Sequence, residues 1–278
     1  MNRIAILGGR GMLGSDLAKL AESAGHEVSV FDLPEFNITQ NADIRNAVSN
    51  ADFIVNCAAY TAVDKAEDER ETCRSVNAFA VESLAKSAKK KDKYLVHIST
   101  DFVFGDESGN SLSEDDTPRP LSWYGTTKLE GEQLLQASGC RHAIVRLEWT
   151  YGRNGVNFIS KLLEAAKKNP KLKVVGDQTG SPTWTADAAR AIMCLMKNQT
   201  EGLYHFAADG YASRYEVAKF ILREKNIEKE ISSCSSSDFP TPAKRPENSR
   251  FNCSKIDKVI DFKRPLWQES LSSFLKEI

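Results

Sequence analysis

The chain has 278 residues, 41% of them hydrophobic, and its 37 lysines and arginines nearly balance 38 aspartates and glutamates for a formal net charge of −1. That length accommodates one α/β domain of moderate size with a smaller appended region, and so small a charge gives no electrostatic reason to expect nucleic acid or an anionic membrane as a partner. No apolar run approaches the ~20 residues that span a bilayer, the first strand pattern begins almost at Met1 with no room for a signal peptide, and the cysteines at 57, 73, 140, 194, 234 and 253 lack metal-ligand spacing; a cytoplasmic protein with reduced thiols is expected.

Ile4-Ala5-Ile6-Leu7 reads as a strand running into Gly8-Gly9-Arg10-Gly11-Met12-Leu13-Gly14 and then into a helical pattern from Ser15 to Ala24. Glycines at 8, 11 and 14 let the chain turn tightly, let backbone N–H groups approach a pyrophosphate and let the helix pack closely on the strand. The spacing G-x-x-G-x-x-G departs from the general dinucleotide fingerprint, so context has to support it. Glu27-Val28-Ser29-Val30-Phe31 supplies that context as the next strand, ending in Asp32. A carboxylate there suits the ribose hydroxyls of NAD and repels the extra phosphate of NADP. Arg10 pulls the other way, because a guanidinium in the loop can meet that phosphate; NAD is favoured and NADP remains allowed.

Phe53 to Asn56 reads as a strand followed by Cys57-Ala58-Ala59-Tyr60-Thr61, whose small side chains let a cofactor lie against the backbone. A helix is expected from about Glu69 to Lys90, with the lysines between 86 and 93 at its exposed end. Tyr94 to Ser99 is the next strand and delivers Ser99-Thr100-Asp101 at its end. A helix from Trp123 to Ala137 carries Tyr124-Gly125-Thr126-Thr127-Lys128, where four-residue spacing sets the phenol and the ammonium on one face, about one turn apart. A phenol titrates near ~10, and a neighbouring ammonium favours its ionised form, so the pair can exchange a proton at working pH. With the Thr100 hydroxyl to bind a carbonyl oxygen, the set points to redox chemistry at a carbonyl.

Ala143 to Leu147 completes an alternation of short strands and helices that requires a doubly wound parallel sheet, an α/β fold with ligands at the carboxyl ends of its strands. Further on come Trp149-Thr150-Tyr151-Gly152, a helix from about Asn157 to Lys168, Lys173-Val174-Val175, a turn at Gly180-Ser181-Pro182-Thr183 and a helix near Ala186 to Met196. Leu203 to Phe206 is expected to return to the main sheet. Pro240, Pro242 and Pro246 forbid a continuous helix, and a short amphipathic helix from Trp267 to Leu275 closes the chain. The expected organisation is a dinucleotide-binding domain over 1–150, with the strand near 203–206 returning to its sheet, and a smaller, mainly substrate-binding lobe over 151–278.

In order and spacing, these blocks resemble the dTDP-4-dehydrorhamnose reductase family of the extended short-chain dehydrogenase/reductase superfamily. The likeness runs end to end: the glycine loop at 8 to 14, Asn56 to Glu67, Ser99-Thr100-Asp101-Phe102-Val103-Phe104, Tyr124 to Glu132, Asp177-Gln178-Thr179-Gly180-Ser181-Pro182-Thr183 and Pro240 to Arg250. The resemblance implies reduction of the C4 ketone of a nucleoside-diphosphate 4-keto-6-deoxy sugar by NADH or NADPH. Thr100, Tyr124 and Lys128 would be its catalytic set, and Thr100, Asp101 and Trp149 would line the sugar-nucleotide site. Gly8, Gly11, Met12, Leu13, Gly14, Asp32, Asn37, Ile38, Ala58, Ala59 and Thr61 would meet the cofactor together with Tyr124 and Lys128. A monomer or homodimer is expected; a Mg2+ between subunits is known among relatives, but no carboxylate cluster here assigns one. Two departures stand out: Asn37 replaces an Asp, and Glu148 replaces a small hydroxyl residue before Trp149. The Glu148 carboxylate is expected to point to solvent.

Rival functions are separable on the same residues. Dehydratases of this superfamily place a Glu after the Thr-Asp pair, where this chain has Phe102, and an aromatic ring cannot serve as a base. An epimerase would use the same Tyr and Lys without net consumption of NAD(P)H. A non-catalytic NAD(P)-binding regulatory subunit needs no acid–base set, so intact Thr100, Tyr124 and Lys128 argue against it.

Overall fold

The computed structural model describes residues 1–105 and 109–278. Its centre is a six-stranded sheet built from β1 (Arg3–Leu7), β2 (Glu27–Phe31), β3 (Phe53–Asn56), β4 (Tyr94–Thr100), β5 (His142–Leu147) and the strand Gly202–Phe206. All pairings are parallel, and the spatial order is Gly202–Phe206, β5, β4, β3, β1, β2. The chain therefore leaves β1 toward β2 and resumes on its other side at β3, which opens a crevice beyond the carboxyl ends of β1 and β3. The strand expected near 203–206 does return to this sheet, paired with β5.

Alternation along the strands explains the layers. Ile4 and Ile6 of β1 face α1 (Met12–Ser23), while Ala5 and Leu7 face the other side, against α2 (Asn41–Ser49) and α4 (Ala80–Lys90). Between β3 and α4 lies α3 (Arg70–Arg74), and α5 (Trp123–Ala137) packs beside α4. A separate apolar cluster unites α6 (Phe158–Lys168), α8 (Arg214–Glu224) and α9 (Trp267–Lys276), whereas α7 (Thr185–Asn198) lies against α1 and the main sheet. Residues beyond 150 thus divide between two cores. Among the described residues no helix is long and apolar enough to cross a membrane, and all six cysteines are free.

The helical stretch expected over 69–90 is interrupted by a π-helical turn at Ser75–Phe79. The wider turn carries Asn77 into the interior, where Oδ1 accepts the Tyr60 N–H at 2.8 Å and Nδ2 donates to Tyr60 O and Thr127 Oγ1, each at 3.2 Å. Gly131 of α5 meets this turn at backbone distance, and a Cβ at that position would collide with the Asn77 carbonyl oxygen. Gly131→Ala should therefore lower stability by about 1–3 kcal/mol through overpacking. Urea unfolding followed by circular dichroism measures it, and an unchanged midpoint would refute this account of how α5 is seated.

Candidate active site

A cleft of about 1110 Å³ opens at the carboxyl ends of the strands. Gly8, Gly11, Met12, Leu13, Gly14, Asp32, Asn37, Ile38, Ala58, Ala59, Thr61, Thr100, Asp101, Tyr124, Lys128 and Trp149 all line it, so the residues nominated from the sequence converge on one wall-to-wall surface.

At the glycine turn, Gly8 has φ +73°, and a Cβ there would lie 2.6 Å from the Ala58 nitrogen. A side chain at Gly14 would strike the Gly8 carbonyl. Gly11 is the N-cap of α1 and supplies no side-chain cap, which leaves the N-terminal amides of that helix to an anion. The turn fits a dinucleotide pyrophosphate on these grounds. Asp32 accepts the Arg10 N–H at 2.8 Å and the Leu33 N–H at 2.9 Å. The Arg10 guanidinium is drawn away to Leu33 O at 2.9 Å and Glu35 at 2.8 Å. Asn37 spends its side-chain oxygen on Thr39, accepting its N–H at 3.0 Å and its hydroxyl at 2.9 Å.

At the other end, α5 starts where the Ser122 hydroxyl accepts the Gly125 N–H at 3.2 Å, and its first two turns place Tyr124 and Lys128 in the cleft. Burial pushes the Tyr124 phenol well above its usual range; a hydrogen bond from Thr100 opposes the rise, and the neighbouring Asp101 carboxylate adds to it. Tyr124 is thus a neutral phenol, a proton donor. The Lys128 amine does not reach toward it but donates to Ile98 O at 2.6 Å and lies 3.3 Å from His97 Nε2. Burial pulls Lys128 down to about 8, with Glu132, Cys57 and Cys73 opposing. The Thr100 hydroxyl lies 3.0 Å from Asp101 Oδ1, whose partner oxygen accepts Ser249 Oγ at 2.6 Å. Desolvation raises the Asp101 carboxyl, partly offset by those two hydroxyls and by the Arg214 charge.

Trp149 sits in the left-handed region at φ +46°. The Arg214 guanidinium lies 3.5 Å from its ring centroid and also lines the cleft. Burial pulls Arg214 down to about 10, with Asp101 and Glu148 opposing, yet no carboxylate among the described residues comes within ion-pair distance of it. Sequence reading missed Arg214, since a lone Arg after Ser213 belongs to no spaced motif; Ser249 lies within the Pro240 to Arg250 block, where nothing in the sequence marks it as reaching Asp101.

The expectation that Glu148 points to solvent is overturned. Its side chain is fully buried, with Oε2 accepting the Ser181 N–H at 2.8 Å and Oε1 accepting the Phe251 N–H at 3.3 Å. Burial pushes this carboxyl well above the usual carboxylate range despite those bonds. Glu148 ties the segments around 181 and 251 to the end of β5, just ahead of Trp149. Gly180 makes room for it, since a Cβ there would lie 2.7 Å from Glu148 Oε2 and 2.8 Å from the Trp149 ring.

A glycine turn that fits a pyrophosphate, a neutral phenol and a buried lysine amine on one helix face, and a hydroxyl across from them define a nicotinamide-dependent oxidoreductase. The family model described as the RmlD substrate binding domain matches residues 1–278. A dTDP-4-dehydrorhamnose reductase from Sinorhizobium fredii is 34% identical, over 96% of this chain and 95% of that protein. A crystal structure of a dTDP-4-dehydrorhamnose reductase from Clostridium acetobutylicum superposes with a TM-score of 0.95 at 34% identity, covering 99% of both chains. The enzyme of that name from Bacillus anthracis, solved in complex with NADP, gives a TM-score of 0.95 at 32% identity over 100% of this chain and 99% of that one. The chain belongs to the dTDP-4-dehydrorhamnose reductase family and is an NAD(P)H-dependent reductase.

Replacing Glu148 by Leu would strand two buried N–H groups. Glu148→Leu should cost about 1–3 kcal/mol for each and weaken cleft ligands by loosening Trp149; unfolding midpoints measure the first effect, and an unshifted midpoint would show that the carboxylate does not hold these segments.

Proposed function

We propose that the protein reduces the C4 ketone of dTDP-4-dehydro-6-deoxy-L-mannose to dTDP-L-rhamnose, drawing the hydride from NADH or NADPH. The observation that carries this reading is that Thr100, Tyr124 and Lys128 line one cleft together with the glycine turn, Trp149 and Arg214. The glycine turn would hold the pyrophosphate of a nicotinamide dinucleotide, and that group would supply the hydride. Negative charge builds on the ketone oxygen only as that hydride arrives, so donors aimed there stabilise the transition state more than the ground state. Thr100, whose hydroxyl otherwise donates to Asp101 at 3.0 Å, would turn that proton to the ketone oxygen, and Tyr124 gives up its phenolic proton, which burial keeps in place until it is needed. Lys128 holds the nicotinamide ribose and, when charged, offsets the phenolate that Tyr124 becomes.

Among the described residues, Arg214 and Lys128 are the lysine or arginine residues lining the cleft, and with Lys128 assigned to the cofactor end, Arg214 is the cation that receives the substrate diphosphate. Trp149 beneath it offers a flat apolar face to the sugar or base. At the ribose, the Asp32 carboxylate and the capture of Arg10 by Glu35 both favour NADH, whereas the B. anthracis relative is named for its NADP complex. Asp32→Ala should therefore raise kcat/KM with NADPH relative to NADH; an unaltered ratio removes Asp32 from cofactor choice.

Incubating the protein with the dTDP keto sugar or its UDP counterpart and following NADH or NADPH absorbance tests the assignment directly. Consumption of one equivalent with formation of dTDP-L-rhamnose is the expected result, and no consumption with either sugar refutes it. Tyr124→Phe should lower kcat by about 10²–10⁴-fold, the range of a lost general acid, with cofactor affinity nearly unchanged. Arg214→Leu should raise the KM for the sugar nucleotide about 10–100-fold, as expected for losing a charged hydrogen bond, and leave cofactor binding alone; an equal loss for both ligands would contradict the placement.

A further inference from the structure

Asn56, His97 and Lys128 form a row beneath the cleft floor, with exposures of 0%, 0% and 2%. Asn56 and His97 are direct neighbours across β3 and β4. The Asn56 amide has a fixed orientation, because its Oδ1 accepts the Ala58 N–H at 3.1 Å. Its other end, Nδ2, therefore faces His97 Nδ1 at 3.1 Å. An NH2 group only donates, so Nδ1 accepts, and a neutral His97 carries its proton on Nε2. Burial, together with the Lys128 and His142 charges, pulls His97 well below the usual imidazole range and keeps it neutral.

That Nε2–H lies 3.3 Å from Lys128 Nζ. An ammonium there sets donor against donor. A neutral amine turns its lone pair to Nε2–H and still donates to Ile98 O at 2.6 Å. His205 shows the opposite arrangement beside a permanent cation: Nδ1 donates to Leu112 O at 3.0 Å, leaving Nε2 to accept from Arg146 Nη1 at 3.3 Å.

We propose that the Asn56–His97 pair is a tautomer lock that favours the neutral amine of Lys128 over its ammonium, which makes His97 a positioning residue that sets the working pH of the active-site lysine. The other groups facing Lys128 do not take over this role. Glu132, one turn along α5, has both oxygens engaged by Arg146 at 2.9 and 2.6 Å. Cys57 after β3 and Cys73 on α3 are both pushed up by burial and stay neutral thiols, Tyr124 is a neutral phenol, and His142 acts on His97 rather than on the amine. Burial by itself brings Lys128 down to about 8, close enough to neutrality for a hydrogen-bonding preference from His97 to be felt.

Nitrogen-15 NMR of the histidine rings in the full chain, with no ligand added, tests the lock directly. The expected spectrum has His97 protonated on Nε2 and bare on Nδ1, with an inflection near pH 8 that vanishes in Lys128→Met. Asn56→Asp places an acceptor at Nδ1; it should reverse the tautomer and move the inflection up by about one pH unit or more. A wild-type ring protonated on Nδ1, or a tautomer indifferent to Asn56→Asp, overturns the proposal. The kinetic arm rests on the reductase reading above: the alkaline limb of kcat/KM, near pH 8 where Lys128 loses its charge, should rise by a similar amount in Asn56→Asp and in His97→Phe. A rate lowered at every pH with the limb in place shows a merely structural role and overturns it. Since the NMR arm uses neither substrate nor cofactor, its failure is distinguishable from failure of the reductase assignment, and Asn56→Asp alone decides should His97→Phe not fold.

Discussion

The site depends on how α5 is seated. Two glycines bring the helix to backbone distance from its neighbours: Gly125, where a Cβ would strike the Phe102 carbonyl, and Gly131, where it would strike that of Asn77. Between and beyond them, polar anchors fix its rotation. Thr127 receives the Asn77 amide, Lys128 donates to Ile98 O on β4, and Glu132 forms a two-pronged ion pair with Arg146 on β5, both side chains 2% exposed. A buried ion pair adds little net stability against its desolvation cost, yet losing one partner is severe, so its value here lies in geometry. With that helix unable to roll, Tyr124 and Lys128 can face only the cleft.

Desolvation then decides what each group does. Tyr124 and Glu148 are raised chiefly by burial, which favours their neutral, proton-bearing forms, and burial raises Asp101 against the hydrogen bonds from Thr100 and Ser249. Lys128 and Arg214 are lowered for the same reason. Arg214 remains charged throughout the physiological range because guanidinium starts so high, while Lys128 is brought close enough to neutrality for a hydrogen-bonding preference behind it to matter. The wall thus combines one permanent cation, one adjustable cation and a phenol holding its proton, a set matched to an anionic ligand on which further negative charge appears during reaction.

Much of this was legible in the sequence because the signals are local. The glycine turn needs backbone freedom within seven residues, Tyr124 and Lys128 share a face by helical spacing alone, and the strands announce themselves through Val and Ile runs. The hidden features depend on segments distant in sequence. Glu148 looked like an exposed carboxylate because the backbone amides that bury it come from Ser181 and Phe251. The π turn at 75–79 answers to Tyr60 and Thr127, which no period in that stretch reveals. Arg214 acquires meaning only when Trp149 lies beneath it, and the tautomer of His97 only when Asn56 is oriented by Ala58.

Those same distant segments explain why the second core is threaded through the first rather than strung after it. Helix α7 and the strand Gly202–Phe206 return to the sheet, and Phe251 packs against Phe104 and His205 within the main core. Ser249, two residues earlier, reaches Asp101 at the end of β4, and Arg214 comes from the first turn of α8 in the other core. Each wall of the cleft around Trp149 and Thr100 is therefore anchored in a different core, and the contacts that join the cores are the ones that shape the site. A ligand that bridged Trp149, Arg214 and Thr100 would gain affinity from an arrangement the fold has already ordered, so less of its binding energy would go to organising loops and more would be available to the transition state.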